Sequence, residues 1–436
     1  LFVKAKRVCA LLAVVLLLNT SLVLVQPPLA SAAETQPAEL ELQASSAILM
    51  EASTGQILYE YNADKALPPA SMAKMMTEYL VMEAIESGKL QMDQMINTSQ
   101  AAADAIGSGQ LLALNEQASV DNMFAAMSIY SANDATIALA EAVSGGSEES
   151  FAKLMNEKAK EFGLSPEARF INSTGLGRAD MGKHAPKELE GETLLTAKDA
   201  ATIAFHLIND HKNVLEYTKT PSRKFRERDK DPMINWNWML AANKSTRNFA
   251  KYAFEGLDGL KTGHTKEAGY CFTGTAERNG MRLISVVMGT GMGPKGKEEA
   301  RFIETAKLLN YGFNNFEPKS ILTAKSEIDS LKTVNIKKGV ALEIPVVTQT
   351  GLNLVAKKGT PADQFQVTTE IVEESKRIAP IEKGQVLGTA KVTYQDKEYK
   401  VNLIATEAVE KAGWFRLFFR AIKEFFVDTF TGAKKS

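Results

Sequence analysis

Near Pro318 the apolar pattern changes from mixed helix and strand spacing to short β-rich runs alone, so one core cannot serve the whole chain. Residues 332–337, 340–347, 352–356, 365–373 and 385–404 are such runs, parted by Gly and Asp turns. They predict a small all-β domain, a sandwich. Ahead of it, residues 46–51 and 56–61 flank the turn Ser53-Thr54-Gly55 and read as a hairpin. Pro68-Pro69 forbids helix before Ala70, after which Met75, Met76, Leu80, Val81 and Ile85 recur at helical spacing. Residues 121–162 read as helical and 163–195 as a long loop, with helix resuming at Thr196. Strands return over 259–275 and 281–289, and a helix comes after them over 297–311. Mixed strands around a helical insertion predict an α/β (α+β) domain with a helical subdomain. A chain of 436 residues has room for both domains.

The two ends differ from either domain. Lys4, Lys6 and Arg7 precede an apolar stretch over 8–25, then Pro27-Pro28 and the small residues Leu29-Ala30-Ser31-Ala32-Ala33. A basic start, an apolar centre and an Ala-x-Ala site predict a secretory signal peptide over 1–32; an uncleaved anchor is the alternative. At the other end, 100° per residue from Trp414 puts Phe415, Leu417, Phe418, Phe419, Ala421, Ile422, Phe425 and Phe426 on one broad face. Arg416, Arg420, Lys423 and Glu424 fall opposite. No uncharged run there approaches the roughly 20 residues that span a bilayer. An amphipathic helix lying in the headgroup plane is expected, with a domain-packing helix as the bland reading. The expected parts are therefore 1–32, 33–316 (the α/β domain), 317–408 (the β domain) and 409–436 (the tail). A formal net charge of −1 argues against nucleic acid as a partner. Cys9 falls in the signal segment, which leaves Cys271 without an internal partner; its apolar surroundings predict a small buried hydrophobe.

Three short motifs occur in order: Ser71-Met72-Ala73-Lys74, Ser131-Ala132-Asn133 and Lys261-Thr262-Gly263. The first sets a hydroxyl and an amine three residues apart on a helix, where side chains are neighbours. A serine hydroxyl is a weak nucleophile until a base takes its proton. A lysine amine serves once its pKa falls from about 10.4, which burial and a nearby cation bring about. Lys261 is the candidate cation.

This set resembles the penicillin-binding proteins and serine β-lactamases. The Ser131-Ala132-Asn133 form, Lys261-Thr262-Gly263-His264-Thr265, Ala268-Gly269-Tyr270, the trailing β domain and the amphipathic tail look most like the low-molecular-weight D-alanyl-D-alanine carboxypeptidases. The resemblance implies a penicillin-binding, serine β-lactamase-like domain over residues 41–315. It implies removal of the terminal D-alanine from peptidoglycan stem pentapeptides through an acyl-serine, acylation by β-lactams, and no cofactor or metal. By the same resemblance Ser71 is the nucleophile, Lys74 its base and Ser131 a proton-relaying hydroxyl. Asn133 would bind the substrate's peptide carbonyl or hold Lys74. Lys261, Thr262 and Gly263 would face the substrate's terminal carboxylate with Arg301. The backbone N–H groups of Ser71 and His264 would form the oxyanion hole. The implied place is the outer face of a bacterial cytoplasmic membrane, with membrane lipid as the partner of the tail. A D,D-endopeptidase with the same site is one alternative, and a penicillin-sensing or scaffold module without turnover is another.

Isolated motifs carry little weight. Ser150-Phe151-Ala152-Lys153 is a second S-x-x-K, but it comes after Ser131-Ala132-Asn133 and reads as a solvated helix face. Gly291-Met292-Gly293-Pro294-Lys295-Gly296 fits a dinucleotide-binding pattern, yet it contains proline and lies outside any repeating βαβ unit. It reads as a tight turn. The histidines at 184, 206, 211 and 264 show no metal spacing, and no G-x-S-x-G elbow is present. Asn172-Ser173-Thr174-Gly175-Leu176 is either a plain turn or a loop along the cleft.

The order of the motifs predicts that labelled penicillin attaches to Ser71. Peptide mapping should find the label on Ser71 and lose it in Ser71→Ala, while Ser150→Ala labels as wild type does.

Overall fold

A computed structural model describes residues 40–292 and 296–431. The chain divides into two units, Leu1–Glu41 and Leu42–Ser436, and both folded domains belong to the second. The expected signal peptide, the middle of the glycine-rich turn (residues 293–295) and the last residues of the tail (432–436) lie outside the described residues.

The first domain is built on an antiparallel sheet of β1 (Ser46–Glu51), β2 (Ile57–Tyr61), β3 (Leu257–Thr265), β4 (Gly269–Arg278) and β5 (Met281–Thr290), ordered β2-β1-β5-β4-β3. β1 is buried along its whole length, as a strand covered on both faces must be. Its alternate residues serve two cores: Ile48 and Met50 join Val286 and Met288 of β5 in the cluster that holds the helical subdomain. The other face meets a helix at the far end of the domain, where Phe272 of β4 packs edge-on against Phe302 at 5.5 Å between ring centres.

The longer helices of this domain are α1 (Lys74–Glu86), α2 (Val120–Tyr130), α3 (Asn133–Ser144), α4 (Glu148–Glu161), α5 (Ala197–Asp210) and α6 (Ala300–Asn315). The expected helical stretch from 121 to 162 is three helices. α2 stops at Ser131, which takes the left-handed conformation at φ +62°, and α4 begins after Ser147 caps Ser150. α5 opens on a capping box: Thr196 accepts from the Asp199 N–H and Asp199 from the Thr196 N–H. α1 lies in the middle of the apolar cluster, buried from Lys74 through Met82.

α6 runs directly into β6 (Phe316–Leu322), the first strand of the second domain. Sequence patterning leaves this strand unassigned because Pro318 cannot donate to a ladder. It is tolerated here in a two-stranded sheet with β9 (Leu352–Lys357), where Pro318 stands opposite Val355. β7 (Thr333–Asn335), β8 (Glu343–Thr348), β10 (Gln366–Ile371), β11 (Val386–Tyr394) and β12 (Lys397–Ala405) form an antiparallel sheet ordered β7-β8-β12-β11-β10. Leu354 and Ala356 of the small sheet share one core with Val346, Leu387, Val392 and Leu403 of the large one. The fold is thus a mixed α/β domain followed by an all-β domain, as expected.

The chain ends in α7 (Trp414–Thr431). Trp414, Phe415, Phe418, Phe419, Phe425 and Phe426 on it are exposed. Arg420 donates to the carbonyls of Gly339 and Val340 at 2.6 and 3.0 Å, which ties the polar side of the helix to a turn of the β domain. No described helix is long and apolar enough to cross a membrane.

Candidate active site

Ser71 sits in a tight 3-10 turn, Ala70–Ala73, that leads into α1. Two glycines let other backbone close on this turn. A Cβ at Gly175 would lie 1.9 Å from the Ala70 carbonyl oxygen, and one at Gly263 would lie 2.5 Å from that of Pro69. Ala70 itself holds φ +48°, an unfavourable conformation for a residue with a side chain. With Ser131 also left-handed, strain flanks two of the three motifs, as it often does where geometry is functional.

Lys74 is wholly buried beneath this turn. Its amine lies 2.9 Å from Ser71 Oγ, 2.7 Å from Asn133 Oδ1 and 3.0 Å from the Thr174 carbonyl oxygen. Two of those partners accept only. A charged amine donates to all three; a neutral amine donates to Asn133 and Thr174, which leaves its lone pair for the Ser71 proton. The partners are themselves fixed. Asn133 Nδ2 donates to the Ile106 carbonyl at 2.6 Å. Asn172 Oδ1 accepts from the N–H groups of Thr174 and Gly175 at 3.0 and 2.7 Å. Glu148 accepts from the Ser173 N–H and hydroxyl at 3.0 and 2.6 Å. Of the two sequence readings of Asn133, the structure displays the one in which it holds Lys74.

Burial and the nearby charge of Lys261 push the Lys74 pKa well below the ordinary lysine value, against the raising effect of Glu78, Glu148 and Asp134. Lys261 is only 2% exposed and donates to the Thr262 carbonyl at 3.1 Å. Burial and Arg301 lower its pKa too, while Glu78 opposes. Lys261 is thus buried beneath the cleft and does not line it, and it is the cation near Lys74 that the motifs lead one to expect.

The cleft above has a volume of about 370 Å³, and Ser71, Ser131, Asn133, Thr262, Gly263, His264 and Arg301 line it. Ser131 Oγ, buried in the lining of the same cleft as Ser71, has no hydrogen-bond partner among the described residues. On one wall, the β3–β4 register sets His264 opposite Tyr270, and their rings stack at 4.2 Å. Burial and the charge of Arg301 push the His264 pKa below the ordinary histidine value. Arg301 Nη1 donates to the Gly263 carbonyl at 3.3 Å and Nη2 pairs with Glu298, while its buried Nε has no partner among the described residues. Glu298 lines the same wall. Trp236 also lines the cleft, and its Nε1 donates to the Tyr130 carbonyl at 2.9 Å.

All nine sequence-proposed residues thus meet at one place: seven line the cleft, and Lys74 and Lys261 lie under it. The loop Asn172–Leu176 borders it through Gly175 and Leu176 and feeds the Thr174 carbonyl to Lys74, so it is more than a plain turn. Ser150 and Lys153 stay outside, exposed on α4, where Lys153 pairs with Glu188. His206 stacks on Phe162 and His211 pairs with Glu86, both packing roles. Cys271 is buried, and that burial pushes its thiol up to about 11. The described residues hold no cluster fit for a metal. Sequence reasoning missed Glu78, Glu148 and Glu298, because a glutamate in a helix or a loop ordinarily reads as solvated.

A family model described as D-alanyl-D-alanine carboxypeptidase matches residues 31–291, and one for the C-terminal domain of penicillin-binding protein 5 matches residues 316–411. The chain is 35% identical over 378 residues to the D-alanyl-D-alanine carboxypeptidase DacF of Bacillus subtilis, covering 86% of this chain and 88% of that protein. Among solved structures, a peptidoglycan synthesis regulatory factor (PBP3) from Streptococcus pneumoniae is similar at a TM-score of 0.73 and 29% identity, covering 85% of this chain and 100% of that one. Penicillin-binding protein D2 from Listeria monocytogenes in its ampicillin-bound form is similar at a TM-score of 0.52 and 34% identity, covering 63% of this chain and 100% of that one.

The geometry around Lys74 makes Asn133 testable. Asn133→Ala removes an acceptor of the amine and should lower the rate constant of serine acylation by about 10²-fold, with little change in the preceding non-covalent binding of the acylating agent. Stopped-flow acylation separates the two.

Proposed function

The chain belongs to the family of serine-type D-alanyl-D-alanine carboxypeptidases, and from that premise we propose how its residues divide the work and where the protein acts. The observation that carries the mechanism is the 2.9 Å contact between Ser71 Oγ and a buried Lys74 amine whose other two partners can only accept. Neutral Lys74 takes the Ser71 proton as Oγ attacks the carbonyl carbon of the penultimate D-alanine in a peptidoglycan stem pentapeptide. Charge builds on that carbonyl oxygen, towards which the backbone N–H groups of Ser71 and His264 are proposed to point. Lys74 then returns the proton through Ser131 Oγ to the leaving amine, and terminal D-alanine departs. Water cleaves the remaining ester, and Ser71 recovers its proton.

The substrate's terminal carboxylate is proposed to lie against Thr262 and Arg301, with the charge of Lys261 below. Glu298 shares the Arg301 guanidinium, so an arriving carboxylate competes with it for that charge. The ampicillin held by the Listeria neighbour supports a further reading, that β-lactams acylate Ser71 in this chain. Their amide is part of a ring, so the leaving group stays tethered and the acyl-enzyme persists.

We place the protein on the outer face of a bacterial cytoplasmic membrane. The supports are the signal-like sequence over 1–32 and the exposed aromatic face of α7. At about 25 cal/mol per Å², sinking Trp414, Phe418 and Phe425 into a lipid interface contributes several kcal/mol, sufficient for reversible attachment. The basic residues Lys411, Arg416 and Lys423 add attraction to anionic headgroups that salt screens.

Products from a pentapeptide should be free D-alanine and the tetrapeptide by mass spectrometry, with the free acid turned over far faster than its C-terminal amide. Arg301→Ala should cost the free acid roughly tenfold or more. Equal turnover of acid and amide by the wild type would refute the carboxylate site.

The anchor is tested by stopping the chain after Gly413. Ala412 must be kept, since it is buried and its N–H donates to the Lys338 carbonyl at 2.8 Å. The shortened protein should keep its peptidase activity and no longer sediment with anionic vesicles, and Phe418→Glu with Phe425→Glu should release the full chain likewise.

A further inference from the structure

Glu78 lies one helical turn beyond Lys74 on α1 and has no solvent exposure. Its Oε1 accepts from Ser128 Oγ at 2.8 Å. Its Oε2, equally buried, has no hydrogen-bond partner among the described residues. Ser128 stands three residues before Ser131 on α2, so this bond ties the helix of the first motif to the helix that ends at the second. A carboxylate buried with one oxygen unpaired is costly unless charge compensates it.

The compensating charges are the two active-site lysines. We propose that Glu78 is a positioning residue whose buried charge is balanced by Lys74 and Lys261, and so sets the pH window in which Lys74 is a free base while Lys261 keeps its charge. The proposal rests on the reading of Ser71 and Lys74 as nucleophile and base. With Glu78 ionised, Lys74 neutral and Lys261 charged, the buried trio carries no net charge, which is the arrangement a dry interior favours. If Glu78 is protonated instead, the trio keeps the full positive charge of Lys261 with nothing opposed to it.

The surroundings favour this balance of charge. Lys74 on the same helix, Lys261 from β3 and the Ser128 hydroxyl from α2 all act on Glu78. Lys74 further feels Asp134 from α3 and Glu148 from α4, and Lys261 feels Arg301 from α6. Asp134 is committed to the N–H groups of Gln110 and Leu112, and Glu148 to Ser173. On α5, Asp199 caps its own helix and Asp210 accepts from Tyr79. Burial pushes the Glu78 carboxyl up to about 7, opposed by the Ser128 bond and the two lysines.

Ionised Glu78 raises both lysine pKa values. Removing its charge lets Lys74 lose its proton at lower pH, which moves the acid limb of the acylation profile down. The same change discharges Lys261 at lower pH, which moves the alkaline limb down as well.

The test is the pH profile of the second-order rate constant for acylation by a labelled penicillin, in wild type, Glu78→Gln and Ser128→Ala. Mass mapping locates the label and thermal melting shows that each protein is folded. Glu78→Gln should move both limbs to lower pH by roughly one unit. Ser128→Ala, which weakens ionisation of Glu78 without deleting it, should move them in the same direction by less. Limbs that stay in place in a folded, Ser71-labelled Glu78→Gln protein overturn the proposal. Should that variant not fold, unmoved limbs in Ser128→Ala overturn it. A wild type that takes its label elsewhere than Ser71 overturns the underlying mechanism, and the proposal with it.

Discussion

The contact between Ser71 Oγ and the Lys74 amine is the constraint around which the first domain is built. The lysine must be buried for its amine to be neutral, so α1 runs through the apolar cluster instead of along a surface. The serine must be exposed to substrate, so the same helix has to open at a cleft. Both needs are met in one turn because the backbones of Pro69–Ala70, Gly175 and Gly263 approach more closely than a Cβ would allow. The long loop 163–195 then has a reason for its order: it delivers the Thr174 carbonyl to the amine, and Asn172 and Glu148 fix it there.

Placing two lysines in a dry interior carries a large cost, several kcal/mol for each desolvated charge. That cost is what makes them useful. Lys261 is held close enough to disfavour a proton on Lys74, and buried Glu78, Glu148 and Asp134 keep the local charge from rising further. The left-handed conformations of Ala70 and Ser131 belong to the same balance. Ala70 belongs to the same buried apolar cluster as Phe124 and Met127 on α2 and Ala135 and Leu139 on α3.

The parts of the site that the sequence discloses are those whose chemistry is unusual for their setting. A serine and a lysine at helical spacing after Pro68-Pro69, with Ser131-Ala132-Asn133 and Lys261-Thr262-Gly263 behind them, identify the nucleophile, the base and both supporting motifs. The second S-x-x-K is separable because Ser150 and Lys153 lie on the polar face of an amphipathic helix. The glutamates are not legible: Glu78 sits at the i+4 position from Lys74, where a surface ion pair would be expected, and Glu148 at a helix N-terminus, where acids are common. Only tertiary burial distinguishes them. The depth of Lys261 is hidden for the same reason, since its strand position does not reveal which way a long side chain runs beneath Thr262. In the second domain, Pro318 hides the strand Phe316–Leu322. The β runs after it, and the aromatic stripe of α7, are readable from alternation and from helical period.

The charge state of Lys74 is read most directly by a carbon-13 NMR titration of the lysine Cε resonances, with Lys74 assigned by its loss in Lys74→Arg. The structure predicts a midpoint well below that of the surface lysines, with the amine neutral across the range in which the enzyme acylates. A Lys74 signal that titrates with the ordinary surface lysines, near pH 10, would contradict the account, because a charged amine at 2.9 Å from Ser71 Oγ has no lone pair with which to take its proton.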